Sequence, residues 1–172
     1  DLLKGIKDLA PLYFVTGNHE LTSLAATQYQ ELLALFQKYG VTDLDNDSVK
    51  LKKGGQSITL YGRQYFSQYL TDSLPIASDK DFDILLYHGS DNFKEIAPYH
   101  YDLILSGHAH GGIVRLQIWG GNFGNDGTYF PGSAGGEYTI GDATLISSRG
   151  LGDASIPRFN NPPELVVIKL NP

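Results

Sequence analysis

Three separate apolar runs in this chain each end in a polar, histidine-bearing tip, and this arrangement limits the fold more than any other feature. Leu12-Tyr-Phe-Val-Thr16 leads into Gly17-Asn-His-Glu20, Phe82-Asp-Ile-Leu-Leu-Tyr87 into His88-Gly89, and Asp102-Leu-Ile-Leu-Ser106 into Gly107-His-Ala-His-Gly-Gly112. Short aliphatic, β-branched and aromatic runs bounded by glycine or proline read as strands. In open α/β sheets, ligands bind at the carboxyl ends of the strands. The three tips therefore mark where chemistry is expected.

In extended chain, side chains at i and i+2 leave on the same side. His108 and His110 are thus placed to face one point, with small Ala109 turned away. Taken alone, the pair reads equally as two metal-binding imidazoles or as two ordinary hydrogen-bonded histidines. The rest of the chain tips this balance, because four of its five histidines stand at strand ends. The fifth, His100, precedes a strand and reads as a surface residue. With no cysteine present, a metal site must draw on His, Asn, Asp or Glu.

Between the tips, Ala25, Tyr29, Leu32, Leu33 and Phe36 share one face at helical spacing, which predicts an amphipathic helix over 22–39. Gly40 falls where a C-terminal cap glycine belongs. Residues 41–62 read as short strands around a turn at Lys53-Gly-Gly55, and 63–80 as helix or loop. A short helix is expected over 91–98, stopped near Pro98, and a strand over 113–119. A long glycine-rich surface loop is expected over 120–137, then strands over 143–147 and 164–170. With 172 residues, 41% of them hydrophobic, and with no repeat or long linker, one α/β domain spanning 1–172 is expected. With a net charge of −6 and Lys52-Lys53 as the one basic cluster, electrostatic capture of duplex nucleic acid is not expected. No apolar run nears the roughly 18 residues of a membrane span.

In order and spacing, Gly17-Asn-His-Glu20, His88 and Gly107-His-Ala-His110 resemble the calcineurin-like metallophosphoesterases. His110-Gly-Gly-Ile-Val-Arg-Leu116, Ser148-Arg-Gly-Leu-Gly152, Ile156-Pro-Arg-Phe and Asn161-Pro-Pro-Glu164 are similar to the bacterial phosphodiesterase-like branch of that superfamily. The resemblance covers essentially the whole chain. It implies a layered β-sandwich flanked by helices, and metal-dependent hydrolysis of phosphodiesters or phosphomonoesters at a dinuclear centre of Mn, Fe or Zn. By it, Asn18, His88 and His108 hold one metal, His110 contributes to its neighbour, and catalytic His19 lies beside the substrate phosphate. Arg115 is its candidate substrate-binding residue. Arg115, Arg149 and Arg158 each suit bidentate phosphate contact or a plain surface role. Read without the resemblance, Asn18 after Gly17 suits a turn, and Glu20 suits a cap on the helix that follows. Ile113 stands where that branch is expected to carry glutamine.

Asn18, His88, His108 and His110 are all neutral donors. Two dications held by neutral donors alone would concentrate four positive charges, which calls for carboxylates. In the resembled family these come from an Asp-x-His motif and a Gly-Asp motif, and the residues before Gly17 contain neither. The expectation is a C-terminal portion of such an enzyme, lacking its first strands and inactive alone, whose site a missing N-terminal segment or a partner chain completes. That segment would also decide between membrane association and a cytoplasmic location. The alternatives are a non-enzymatic fragment or pseudoenzyme binding at most one metal, and a mononuclear zinc hydrolase. Beyond a phosphate ester, substrate and oligomeric state are open.

Overall fold

In the computed structural model, residues 2–65, 74–78, 81–116, 120–123, 132–152 and 157–171 are described. They form two compact units, 1–88 and 89–172. The first opens with a short helix α1 (Leu2–Ile6) and strand β1 (Leu12–Phe14). The helix that sequence spacing predicts over 22–39 is α3 (Ala26–Lys38), and a separate short helix α2 (Asn18–Thr22) precedes it. Each start has its own side-chain acceptor. Glu20 Oε2 accepts the Gly17 N–H at 3.0 Å and Gln28 Oε1 the Ala25 N–H at 2.9 Å, so the chain restarts between them. Glu20 thus takes the capping role expected of it. The α3 stripe packs on β1, with the Phe14 and Phe36 ring centroids 4.5 Å apart. Gly40 closes the helix at φ +69°, a conformation that costs glycine little.

Strand β2 (Val41–Asp43) then pairs with β1 in parallel. Strands β3 (Ser48–Lys53) and β4 (Gln56–Arg63) form an antiparallel hairpin. Its Gly54 and Gly55 both take positive φ, as a tight two-residue hairpin turn requires. Parallel to β4 runs β5 (Phe82–Tyr87). Buried Ile84, Leu85 and Tyr87 make it a core strand that delivers His88 at its carboxyl end. Most of the 63–80 stretch lies outside the described residues.

In the second unit, α4 (Phe93–Ile96) runs into a 3₁₀ turn (Ala97–Tyr99), where Pro98 was expected to stop the helix. Exposed His100 ends that turn at φ +64°. Strand β6 (Leu103–Ser106) carries the Gly-His-Ala-His tip, followed by β7 (Val114–Leu116). The expected 120–137 loop includes strand at both ends, and 124–131 lie outside the described residues. Its first residues form β8 (Gly120–Phe123), antiparallel to β7, and its last belong to β9 (Gly136–Ile140). Glycine permits the first of these, since a Cβ on Gly121 would lie 3.2 Å from the Gly112 Cα. Strand β10 (Ala143–Ser147) lies between β6, to which it is parallel, and β9, to which it is antiparallel.

Residues 164–170 form no strand among the described residues. Leu165 and Val167 are largely exposed. A β-branched run becomes a strand only where an edge accepts its backbone, so composition alone misled there. No helix among the described residues is long and apolar enough to cross a membrane.

Candidate metal centre

The first unit brings Asn18 and His88 together. Asn18 begins α2, one residue past the turn that follows β1, and its Oδ1 lies 3.0 Å from His88 Nε2. Glycine at position 17 eases this approach, because a Cβ there would stand a tight 3.1 Å from two atoms of the His88 ring. The imidazole and the Tyr65 ring also meet in a T-shaped contact, centroid to centroid 5.6 Å at 86°. His19 is exposed, its Nδ1 3.1 Å from Ser23 Oγ.

Behind this turn sits a polar clamp that the sequence did not disclose. Fully buried Thr16 donates its N–H to Asp45 Oδ1 at 2.8 Å and its hydroxyl to Asp45 Oδ2. The Thr16 carbonyl accepts the Tyr65 N–H at 3.2 Å, and Gln64 adds a donor to Asp45 Oδ2 at 3.2 Å. Burial pushes the Asp45 carboxyl above its ordinary range, against the opposing pull of the Thr16 hydrogen bonds. Within Asp43-Leu-Asp-Asn-Asp47, Asp45 reads as a solvated loop acid, so no local signal could have found it.

The second unit holds His108, His110 and Arg115. His108 and His110 adopt φ +65° and +50°, so the tip is a left-handed turn rather than extended chain. The i, i+2 geometry of a strand therefore does not describe this pair. His110 Nδ1 lies 3.2 Å from Arg158 Nη2, and Arg115 Nη1 donates to the Gly111 carbonyl at 2.8 Å. Arg149 is committed elsewhere: its Nε and Nη2 reach Glu164 Oε2 at 2.8 and 2.5 Å. That hydrogen-bonded pairing holds the Glu164 carboxyl below the usual range.

Residues 1–112, through the third histidine-bearing tip, match the model of the calcineurin-like phosphoesterase family. The chain belongs to that family. Its mixed α/β fold, strands flanked by helices, is the one this membership requires. Among curated relatives of this calcineurin-like chain, the uncharacterized protein YpbG of Bacillus subtilis is 28% identical over 93% of the chain and 58% of its own length. The phosphodiesterase YaeI of Escherichia coli is 24% identical over 99% of the chain and 62% of its own length. The uncharacterized metallophosphoesterase YkuE of B. subtilis is 36% identical over 54% and 32%. The chain thus spans less than two thirds of the length of each.

Calcineurin-like phosphoesterases use divalent metals, and the Asn18–His88 pair suits one. An oxygen and a nitrogen donor 3.0 Å apart match neighbouring corners of an octahedron with bonds of about 2.1 Å. Both are neutral donors of the mixed N and O kind that Mn, Fe and Zn accept. Among the described residues, no three His, Asp or Glu side chains gather at a common point.

Proposed function

We propose that this chain contributes to a metal-dependent phosphoesterase that hydrolyses phosphodiesters or phosphomonoesters at two divalent ions. The juxtaposition of Asn18 Oδ1 and His88 Nε2 carries this reading. Asn18, His88 and His108 are assigned to one ion and His110 to its neighbour. A divalent ion held by these residues would lower the pKa of water bound to it. His19, whose Nδ1 is engaged by Ser23, is assigned to carry a proton on Nε2 toward the leaving oxygen. Arg115, whose Nη1 donates to the Gly111 carbonyl, is assigned to orient phosphate. Because all four metal donors are neutral, a dinuclear centre needs carboxylates beyond this set.

The test is turnover of bis(4-nitrophenyl) phosphate by the full-length protein with Mn²⁺, together with a count of bound metal. Two ions per protein, with activity at least about 10–100-fold lower in His88→Ala, are expected. One ion or none, without turnover, would favour a non-enzymatic metal-binding protein instead. Turnover by residues 1–172 alone at the full-length rate would overturn the need for further carboxylates.

A further inference from the structure

Within the segment 158–161, Arg158 and Asn161 contact the turn that carries His108 and His110, and Phe159 contacts the residues just after it. Phe159 bridges in parallel to Val114. Its carbonyl accepts the Arg115 N–H at 3.0 Å, and its own N–H reaches the Ile113 carbonyl at 2.9 Å. Two residues further on, Asn161 is 2% exposed. Its Nδ2 donates to the His110 carbonyl at 2.6 Å and to the Gly112 carbonyl at 3.5 Å. Only the amide nitrogen can donate to a carbonyl, so these partners also fix which way the amide faces.

The turn needs such support. His110, Gly111 and Gly112 lie consecutively in the left-handed region, with φ of +50°, +76° and +66°. L-residues disfavour that region, and a chain folded this way offers its carbonyls to no regular ladder. Donors from elsewhere take all three: Asn161 at 110 and 112, Arg115 at 111. Asn161 Oδ1 meanwhile sits 2.5 Å from where a Cβ on Gly111 would stand, so the amide fills the hollow that the glycine leaves.

We infer that Asn161 is a positioning residue. It holds the His110–Gly112 turn in its left-handed form and thereby sets the direction in which the His110 ring leaves the backbone. Its consequence for metal binding rests on the proposed role of His110, whereas the fixing of the turn does not.

The experiment has one arm for each part. Amide exchange is followed by NMR in the metal-free full-length protein for wild type, Asn161→Leu, the milder Asn161→Ser, and Leu145→Ala as a core-destabilised control. The Gly112 amide, bonded to the Ala109 carbonyl at 2.7 Å, should exchange at least about 10-fold faster in the Asn161 variants than in the control at matched global stability. The His110 ring resonances should shift in those variants alone. Exchange no faster than in the control, with unchanged His110 resonances, would overturn the inference; if Asn161→Leu does not fold, Asn161→Ser decides. In the second arm, Mn²⁺ affinity should fall about 10–100-fold in the Asn161 variants. A wild-type protein that binds no Mn²⁺ would count against the metal reading and leave the exchange result to judge Asn161. Exchange that rises while Mn²⁺ affinity holds would overturn the link from turn to metal.

Discussion

Asn18 Oδ1 stands 3.0 Å from His88 Nε2 across a sequence separation of 70. Each side chain begins where an element changes: Asn18 opens α2 and His88 follows β5. If both donors serve one ion, they fill neighbouring corners of one coordination shell, and their losses are coupled through that ion. Asn18→Ala and His88→Ala should each weaken Mn²⁺ binding by at least about 10–100-fold. The double variant should lose clearly less than the sum of the two. A plain hydrogen bond would behave otherwise, costing about 1 kcal/mol of stability and leaving metal affinity unchanged. Titration calorimetry beside urea unfolding separates the two outcomes.

Gly17 tests the same pair sterically. Its φ of −95° is open to any residue, so Gly17→Ala brings no backbone strain. The added methyl would stand 3.0 Å from Glu20 Oε2 and 3.1 Å from the His88 ring, and the imidazole must give way. Mn²⁺ affinity should fall several-fold while stability changes by about 1 kcal/mol or less. Unchanged His88 ring resonances in this variant would contradict the argument.

What the sequence disclosed were features set by near neighbours. Gly54-Gly55 made the hairpin, Gly40 closed α3, Glu20 capped α2, and the apolar runs before the tips became β1, β5 and β6. What it hid depends on partners far along the chain. Asp45 becomes a clamp only because Thr16 is folded onto it from 29 positions away. Asn161 acquires its role from His110, 51 positions back. Gly120–Phe123 becomes a strand because β7 lies beside it, and 164–170, rich in strand formers, forms no strand among the described residues. Local pattern carries turn chemistry and burial, whereas polar side chains take their function from tertiary neighbours.

Gly62 offers a test that involves no metal. A Cβ there would fall 2.6 Å from Leu44 Cβ and 2.8 Å from the Leu44 carbonyl carbon, and closer still to its oxygen. Leu44 is itself 2% exposed, and its N–H is bonded to the Phe14 carbonyl at 2.9 Å. Backbone held in this way cannot swing aside as a surface side chain would. Gly62→Ala should destabilise the protein by about 3 kcal/mol, read as a lower urea midpoint at unchanged slope. An unaltered midpoint would mean that the 44–62 contact is looser than described.

Two carboxylates give opposite pH signatures. Burial raises the Asp45 pKa above its ordinary 3.8, with the Thr16 hydrogen bonds opposing. Its contribution to stability is therefore fully present below 3.8 and is lost as pH rises through the folded-state value. Glu164 moves the other way: the hydrogen bond from Arg149 lowers its pKa from 4.5. Its contribution is present above 4.5 and is lost as pH falls through the folded-state value. Glu164→Gln should thus cost about 1–2 kcal/mol near neutrality and converge on wild type as pH drops below 4.5. Asp45→Asn should do the reverse, with wild type gaining on the variant as pH falls from neutrality toward about 4. Urea midpoints across that range check both signs, and parallel curves for Glu164→Gln and wild type would exclude the Arg149 pairing as a source of stability.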